Sequence, residues 1–207
     1  ILLSTYNIEK GNLSGSRFLI KEIYIENNSI LDEKKLKQKL SFLYQRNLLF
    51  FKTKILEVKL KEIELIDSFE IKKIYPDKIK IKIYEKEPIA ILQHKKKKKY
   101  FTKKGDAIKF IEMKRFSSLP LVFGEEKKFK IFYKNLKNMN FPIEEIKTFY
   151  FFESQRWDLV TQQNHTIKLP INNYKKSLKN YLNLKEKKNF IKYKTFDYRI
   201  NNQLILK

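Results

Sequence analysis

Tyr75-Pro76-Asp77-Lys78-Ile79-Lys80-Ile81-Lys82-Ile83 decides how the first part of the chain folds. Ile79, Ile81 and Ile83 alternate strictly with Lys78, Lys80 and Lys82, and a period of two marks a strand with one buried face and one wet face. Pro76 brings the fixed φ that position i+1 of a tight turn requires. Phe69 and Ile71, just ahead of the turn, supply the partner strand. The pattern predicts a hairpin.

Upstream, Phe-Leu-Ile-Lys-Glu-Ile-Tyr-Ile over 18–25 reads as a further strand. Asp32 then suits a helix N-cap, with Leu31 and Leu36 placed as a hydrophobic staple. Leu36, Leu40 and Leu43 follow at i, i+4 and i+7, one helical face. A second helix starting at Thr53 repeats this spacing with Leu56, Leu60 and Ile63. The order is therefore β-α-α-β-β, three strands with two helices on one face. Residues 1–17 read as a flexible lead-in holding two of the four glycines. Ile1-Leu2-Leu3 is either the end of a membrane helix cut off upstream or a frayed start.

Glu87-Pro88 breaks the pattern, so the first domain is expected over 18–86 and the second over 87–207. The second domain reads as short strands with flanking helices, an α+β class for the whole chain. Strands are expected at 89–93, 100–102, 107–110, 119–123, 148–152, 156–161 and 165–169. Phe129, Phe132, Tyr133 and Leu136 mark one amphipathic helix, and Tyr174, Leu178, Tyr181 and Leu182 another. Phe196 to Ile200 alternates again, followed by Asn201-Asn202 and an apolar end at Leu204 and Leu206.

The 207 residues are 42% hydrophobic and 14% aromatic, which argues for packed cores and against disorder. A net charge of +23 suits an anionic partner, nucleic acid or lipid headgroups. Spread as they are along the whole chain, the lysines fit a compositional bias better. With no cysteine there are no disulfides, Cys-type zinc sites or thiol catalysis. No apolar run is long enough to cross a bilayer, and no signal-peptide pattern is present.

Residues for chemistry are scarce. His94 and His165 have no neighbours at metal-ligand spacing. The acids Glu85 and Glu87, or Glu144 and Glu145, lie among lysines and read as charge balance. Only Gly105 and Gly124 lie beyond residue 15, so no glycine-rich loop cradles a phosphate. Lys95–Lys99 reads as the solvated tip of a hairpin, without the interleaved aromatics that stack bases. Trp157 alternates with Leu159 and reads as core. These observations predict no enzyme and no cofactor.

The stretch from Tyr75-Pro76 through Glu85-Lys86-Glu87-Pro88-Ile89-Ala90 resembles the end of a POTRA domain of the FtsQ/DivIB family. The likeness continues in order through Tyr100-Phe101-Thr102 with Gly105, then Leu119-Pro120 with Gly124, Arg156-Trp157-Asp158-Leu159, and Phe196-Asp197-Tyr198-Arg199. It implies a division protein with a short cytoplasmic tail, one inner-membrane helix before this chain, and this part in the periplasm at the septum. It favours the membrane-tail reading of Ile1–Leu3. It also implies a scaffold without catalysis that binds FtsB- and FtsL-like partners, with other division proteins reached through the POTRA domain. In the family a partner strand joins the edge of the last strand, here residues 198–206. The implied partner-binding residues are Tyr198, Arg199, Ile200, Asn201, Asn202, Leu204, Leu206 and Arg156. Arg199 is either an ion-pair donor to an acidic partner or a local partner of Asp197. Ile200 departs from the tyrosine many members carry, and Asn201-Asn202-Gln203 is more polar than usual. The rivals are a POTRA-containing outer-membrane assembly or secretion factor, which lacks support from repeated POTRA copies or a barrel, and a basic nucleic-acid-binding module, for which only weak, non-specific binding is expected.

Overall fold

The computed structural model describes residues 16–187, 189, 192–200 and 203–207. The expected lead-in falls mostly outside them. The chain divides between Lys86 and Glu87 into two compact units.

In the first unit, β1 (Glu22–Glu26) is followed by α1 (Glu33–Lys39), α2 (Lys54–Lys61), β2 (Ile66–Ile74) and β3 (Lys78–Glu85). The sheet order is β1-β3-β2, with β1 parallel and β2 antiparallel to β3. Ile79, Ile81 and Ile83 are fully buried, and register sets Ile23 beside Ile79 and Ile25 beside Ile81. This apolar face packs with Leu36 of α1, Leu40 at its C-cap, and Leu56 and Leu60 of α2.

Asp32 caps α1 as its side chain accepts from the Lys35 N–H at 2.8 Å. The helix is shorter than the leucine spacing predicts. It stops at Lys39, and Leu43 reaches the core from a separate 3-10 turn, Ser41–Leu43. The Tyr75–Pro76 peptide bond is cis, a turn unlike the expected one with a proline at i+1.

The outer face of this sheet is a charge ladder. Lys78 pairs with Glu22 at 3.2 Å and Lys80 with Glu26 at 2.7 Å.

The second unit is a nine-stranded mixed sheet in the order β12-β11-β10-β9-β8-β7-β4-β5-β6. Its strands are β4 (Pro88–His94), β5 (Lys97–Thr102), β6 (Ala107–Lys109), β7 (Leu121–Phe123), β8 (Ile146–Phe151), β9 (Trp157–Thr161), β10 (Thr166–Lys168), β11 (Thr195–Asp197) and β12 (Ile205–Leu206). The lysine run is divided: Lys95 and Lys96 make the turn, while Lys97–Lys99 belong to β5. Helix α3 (Glu126–Asn138) crosses between the parallel strands β7 and β8, and α4 (Tyr174–Lys185) between the parallel strands β10 and β11. Parallel neighbours need such crossovers, because a tight hairpin joins only antiparallel strands.

Register builds one apolar row across seven strands: Leu92, Val122, Phe149, Leu159, Ile167, Phe196 and Leu206. The helices cover this row with Phe129, Phe132 and Leu136 of α3 and with Leu178 and Tyr181 of α4. Trp157 stacks on Phe132, ring centroids 4.7 Å apart, and is core as expected.

Candidate functional site

The strand expected over 198–206 is not one strand. β11 ends at Asp197, the chain reverses, and only Ile205–Leu206 returns as β12, antiparallel to β11. The reversal has local causes. The Tyr198 ring turns inward and is buried, and its hydroxyl donates to Asn180 Oδ1 of α4 at 2.9 Å. Burial pushes the Tyr198 phenol well above the ordinary tyrosine range. The Tyr198 N–H donates to the Lys168 carbonyl at 2.9 Å, one residue beyond β11. Arg199 folds back on Asp197, its Nε 2.9 Å and its Nη2 2.6 Å from the carboxylate oxygens. The local pair with Asp197, one of the two readings of Arg199, is present.

Of the remaining expected site residues, Ile200 is exposed and Leu204 and Leu206 pack partly against the core. Asn201 and Asn202 lie outside the described residues. Tyr198, Ile200 and Leu204 line a groove of about 350 Å³ together with Asn173, the N-cap of α4, and Ser177 and Asn180 within that helix.

β12 is an edge strand. Thr195 and Lys207 exchange both main-chain bonds, at 2.9 and 3.1 Å. Because bonded and non-bonded pairs alternate along an antiparallel ladder, the N–H and C=O of Leu206 face away from β11. An outward row of this kind is what an incoming strand pairs with.

The sheet face turned away from α3 and α4 carries a second row beside this edge: Phe123, Tyr150, Asp158, Lys168, Asp197 and Ile205 stand in register. Phe123 and Tyr150 stack, 5.1 Å between centroids. Asp158 and Asp197 are both buried. Arg156 Nη1 donates to Asp158 at 2.5 Å, and its guanidinium lies 4.2 Å from the Phe152 ring centroid. Burial raises the Asp158 carboxyl above its ordinary value against the pull of Arg156 and Lys168. Asp197 goes the other way, lowered first by the hydrogen bond from Arg199.

β9 is antiparallel to β10 and β10 parallel to β11, so β9 and β11 run in opposite directions. An arginine two residues before Asp158 and one two residues after Asp197 therefore reach the same end of the sheet. Arg156 and Arg199 are brought together there, with Lys168 between their aspartates.

Two family models match the chain: "POTRA domain, FtsQ-type" over residues 18–86, and "Cell division protein FtsQ/DivIB, C-terminal" over residues 90–199. The chain belongs to the FtsQ/DivIB family. It is 23% identical over 168 residues to the cell division protein FtsQ of Rhizobium meliloti (strain 1021), covering 80% of this chain and 54% of that protein. It is 22% identical over 167 residues to FtsQ of Agrobacterium fabrum, covering 80% and 53%. The chain spans about half the length of these curated relatives. The major extracytoplasmic domain of DivIB from Geobacillus stearothermophilus shows a likeness at 10% identity and TM-score 0.31, over 47% of this chain and 89% of that one, too distant for a comparison of geometry.

The FtsQ/DivIB motifs take on physical roles in this fold. Glu85 is more than charge balance. Its carboxylate accepts from the N–H groups of Ser29, Ile30 and Leu31 at 2.9, 2.7 and 2.6 Å and from the Ser29 hydroxyl at 2.9 Å, tying the β1–α1 loop to β3. Sequence reasoning missed it because the donors are main-chain groups more than 50 residues away. Gly124 permits a close approach, since a Cβ there would stand 2.7 Å from Phe151 Cβ. Gly105 takes a φ of +86° in the turn before β6.

His165 stays half-buried near Tyr181, and burial lowers its pKa. Among the described residues no cluster of three or more His, Asp or Glu side chains could hold a metal, and no helix is long and apolar enough to cross a membrane.

Proposed function

We propose that this chain is a non-enzymatic scaffold of the bacterial division machinery that accepts a strand from an FtsB-like partner along the outer edge of β12, with an FtsL-like protein in the same assembly. The observation that carries this reading is the outward-facing main chain of Leu206 beside the cationic end formed by Arg156, Lys168 and Arg199. Membership of a cell-division family supports it. Main-chain pairing supplies affinity, and the arginines select an acidic flank, since Arg199 is about half exposed and keeps donors beyond those used on Asp197. The POTRA unit is left to contact other division proteins. The reading places this part of the protein in the periplasm, held at the inner membrane by a segment outside it.

Co-purification with an FtsB-like partner tests the edge. Leu206→Pro removes an outward N–H while leaving the bonds to β11 in place, and proline is tolerated at such edge positions. The complex is expected to be lost with the circular dichroism of the free protein unchanged. Leu204→Lys, in the reversal, is expected to weaken it. A complex that survives Leu206→Pro overturns the edge-strand site. Tyr198→Pro is a poorer test, because that N–H already serves the Lys168 carbonyl within the chain.

A further inference from the structure

The first unit carries an apolar surface that its own core does not use. Helix α2 buries Leu56 and Leu60, yet its opposite side presents Ile55 at 47% and Val58 at 52% exposure. These two are three residues apart and so are neighbours on the helix surface. Just before the helix, the loop after Leu48 presents Leu49 at 37% and Phe50 at 74% exposure, the latter the most exposed large apolar side chain among the described residues.

This loop is held in shape. Lys73 Nζ donates to the carbonyls of Leu48 and Phe51, at 2.8 and 2.6 Å, on either side of the displayed pair. The Asn47 side chain accepts from the Leu49 N–H at 3.0 Å. Phe50 is thus presented on a braced loop whose ordering is complete before any partner arrives, which lowers the cost of binding.

The charges around it are mainly positive. Arg46, Lys52, Lys54, Lys59 and Lys61 surround these side chains in sequence, all exposed, against two acids: Glu57, which accepts from the Thr53 hydroxyl, and Glu62, which pairs with Lys59 at 3.1 Å. Apolar side chains projecting among lysines match the boundary of a bilayer, where rings and branched chains enter the acyl region and ammonium groups meet lipid phosphates. A helical peptide partner would be met by an apolar groove, whereas these are the projecting side chains of a loop and a helix surface.

We propose that Phe50, Ile55 and Val58, with the lysines around them, form a membrane-contact surface for bilayers containing anionic phospholipid. The surface is independent of the β12 edge, on different residues of a different unit. Net charge draws the protein toward the bilayer, and the apolar triad selects which side is seated there.

The full 207-residue chain is tested on vesicles of phosphatidylcholine alone and of phosphatidylcholine with phosphatidylglycerol, by flotation at low and high salt. Binding is expected only with the anionic lipid and to weaken as salt rises. The double variant Phe50→Ser/Val58→Ser keeps the net charge and changes only exposed positions; its partitioning is expected to fall roughly tenfold or more, by loss of buried apolar area. In Phe50→Trp, the added indole fluorescence, after subtraction of the parent's Trp157 signal, is expected to shift to the blue and to be quenched by brominated acyl chains. Reversal of two charges in the β4–β5 turn, Lys95→Glu/Lys96→Glu, is expected to leave that blue shift intact.

Three outcomes overturn the proposal: unchanged partitioning of the serine double variant, an indole at position 50 that stays in water on bound protein, or tighter and saturable binding of an acidic peptide that excludes vesicles from this surface. The last would reassign the surface to a protein partner. None of them bears on the strand edge, which the Leu206→Pro complex assay reads separately.

Discussion

The two sheets spend charge on their outer faces in opposite ways. In the first unit Lys78 and Lys80 meet Glu22 and Glu26 across neighbouring strands with all four side chains a third to a half exposed. In the second unit Asp158 and Asp197 are each 8% exposed and each is held by an arginine two residues away. Water screens the first ladder, and such pairs contribute about 0–1 kcal/mol each. A buried carboxylate has no such reserve, so removing its partner leaves an uncompensated charge. Similar residue types thus give a surface tolerant of change in one unit and an intolerant one in the other.

The sharpest way to break this contrast is Arg156→Ala. It strips the direct partner from Asp158 and a cation from the Phe152 ring. A loss of about 3 kcal/mol is expected in chemical denaturation, toward the low end for breaking a buried pair because Arg156 keeps some exposure. Glu85→Ala follows. Three main-chain N–H groups and a hydroxyl lose their acceptor, and about 2 kcal/mol is expected, since water can reach part of this loop. The loss should appear in hydrogen exchange at 29–31 before it appears in the second unit.

The two aspartates should also titrate with opposite sign. Asp197 is lowered in the folded chain, so its contribution to stability is full above the ordinary value of 3.8 and is lost as pH falls through the lower folded value. Asp158 is raised, so its contribution is full below 3.8 and is lost as pH rises through the higher folded value. Asp197→Asn should therefore flatten the acid limb of a denaturation midpoint measured against pH, and Asp158→Asn should steepen it. Matching curves for the two variants would show that their environments do not differ. Smallest of all, Lys80→Ala should cost less than about 1 kcal/mol and vanish in high salt.

Legibility in the sequence followed the range of the interaction. Alternation from Lys78 to Ile83 exposed the β3 strand because burial follows every second residue. Phe129, Phe132, Tyr133 and Leu136 marked α3 because all four face one core. The Asp32 cap needed only its own neighbours. At Leu43 the spacing was helical but the backbone was not, since a 3-10 turn can deliver a side chain to the same core. The end of the chain was read less well. Alternation over 196–200 matched a strand, while the contacts that end it, Tyr198 to Asn180 and Arg199 to Asp197, depend on where α4 lies and on an ion pair that alternation does not encode. Arg156 and Arg199 were legible only as separate motifs. Their meeting depends on opposite strand directions that pairing alone determines.

Lys168 occupies the register position between both aspartates and favours the charged form of each, at Asp158 against the burial that raises it. One ammonium therefore serves two carboxylates, and a neutral residue in its place acts on both. Changes at Asp158 and Asp197 should then be non-additive although 39 positions separate them in the chain, and a double-mutant cycle on these two carboxylates should read a coupling that weakens in a Lys168→Met background.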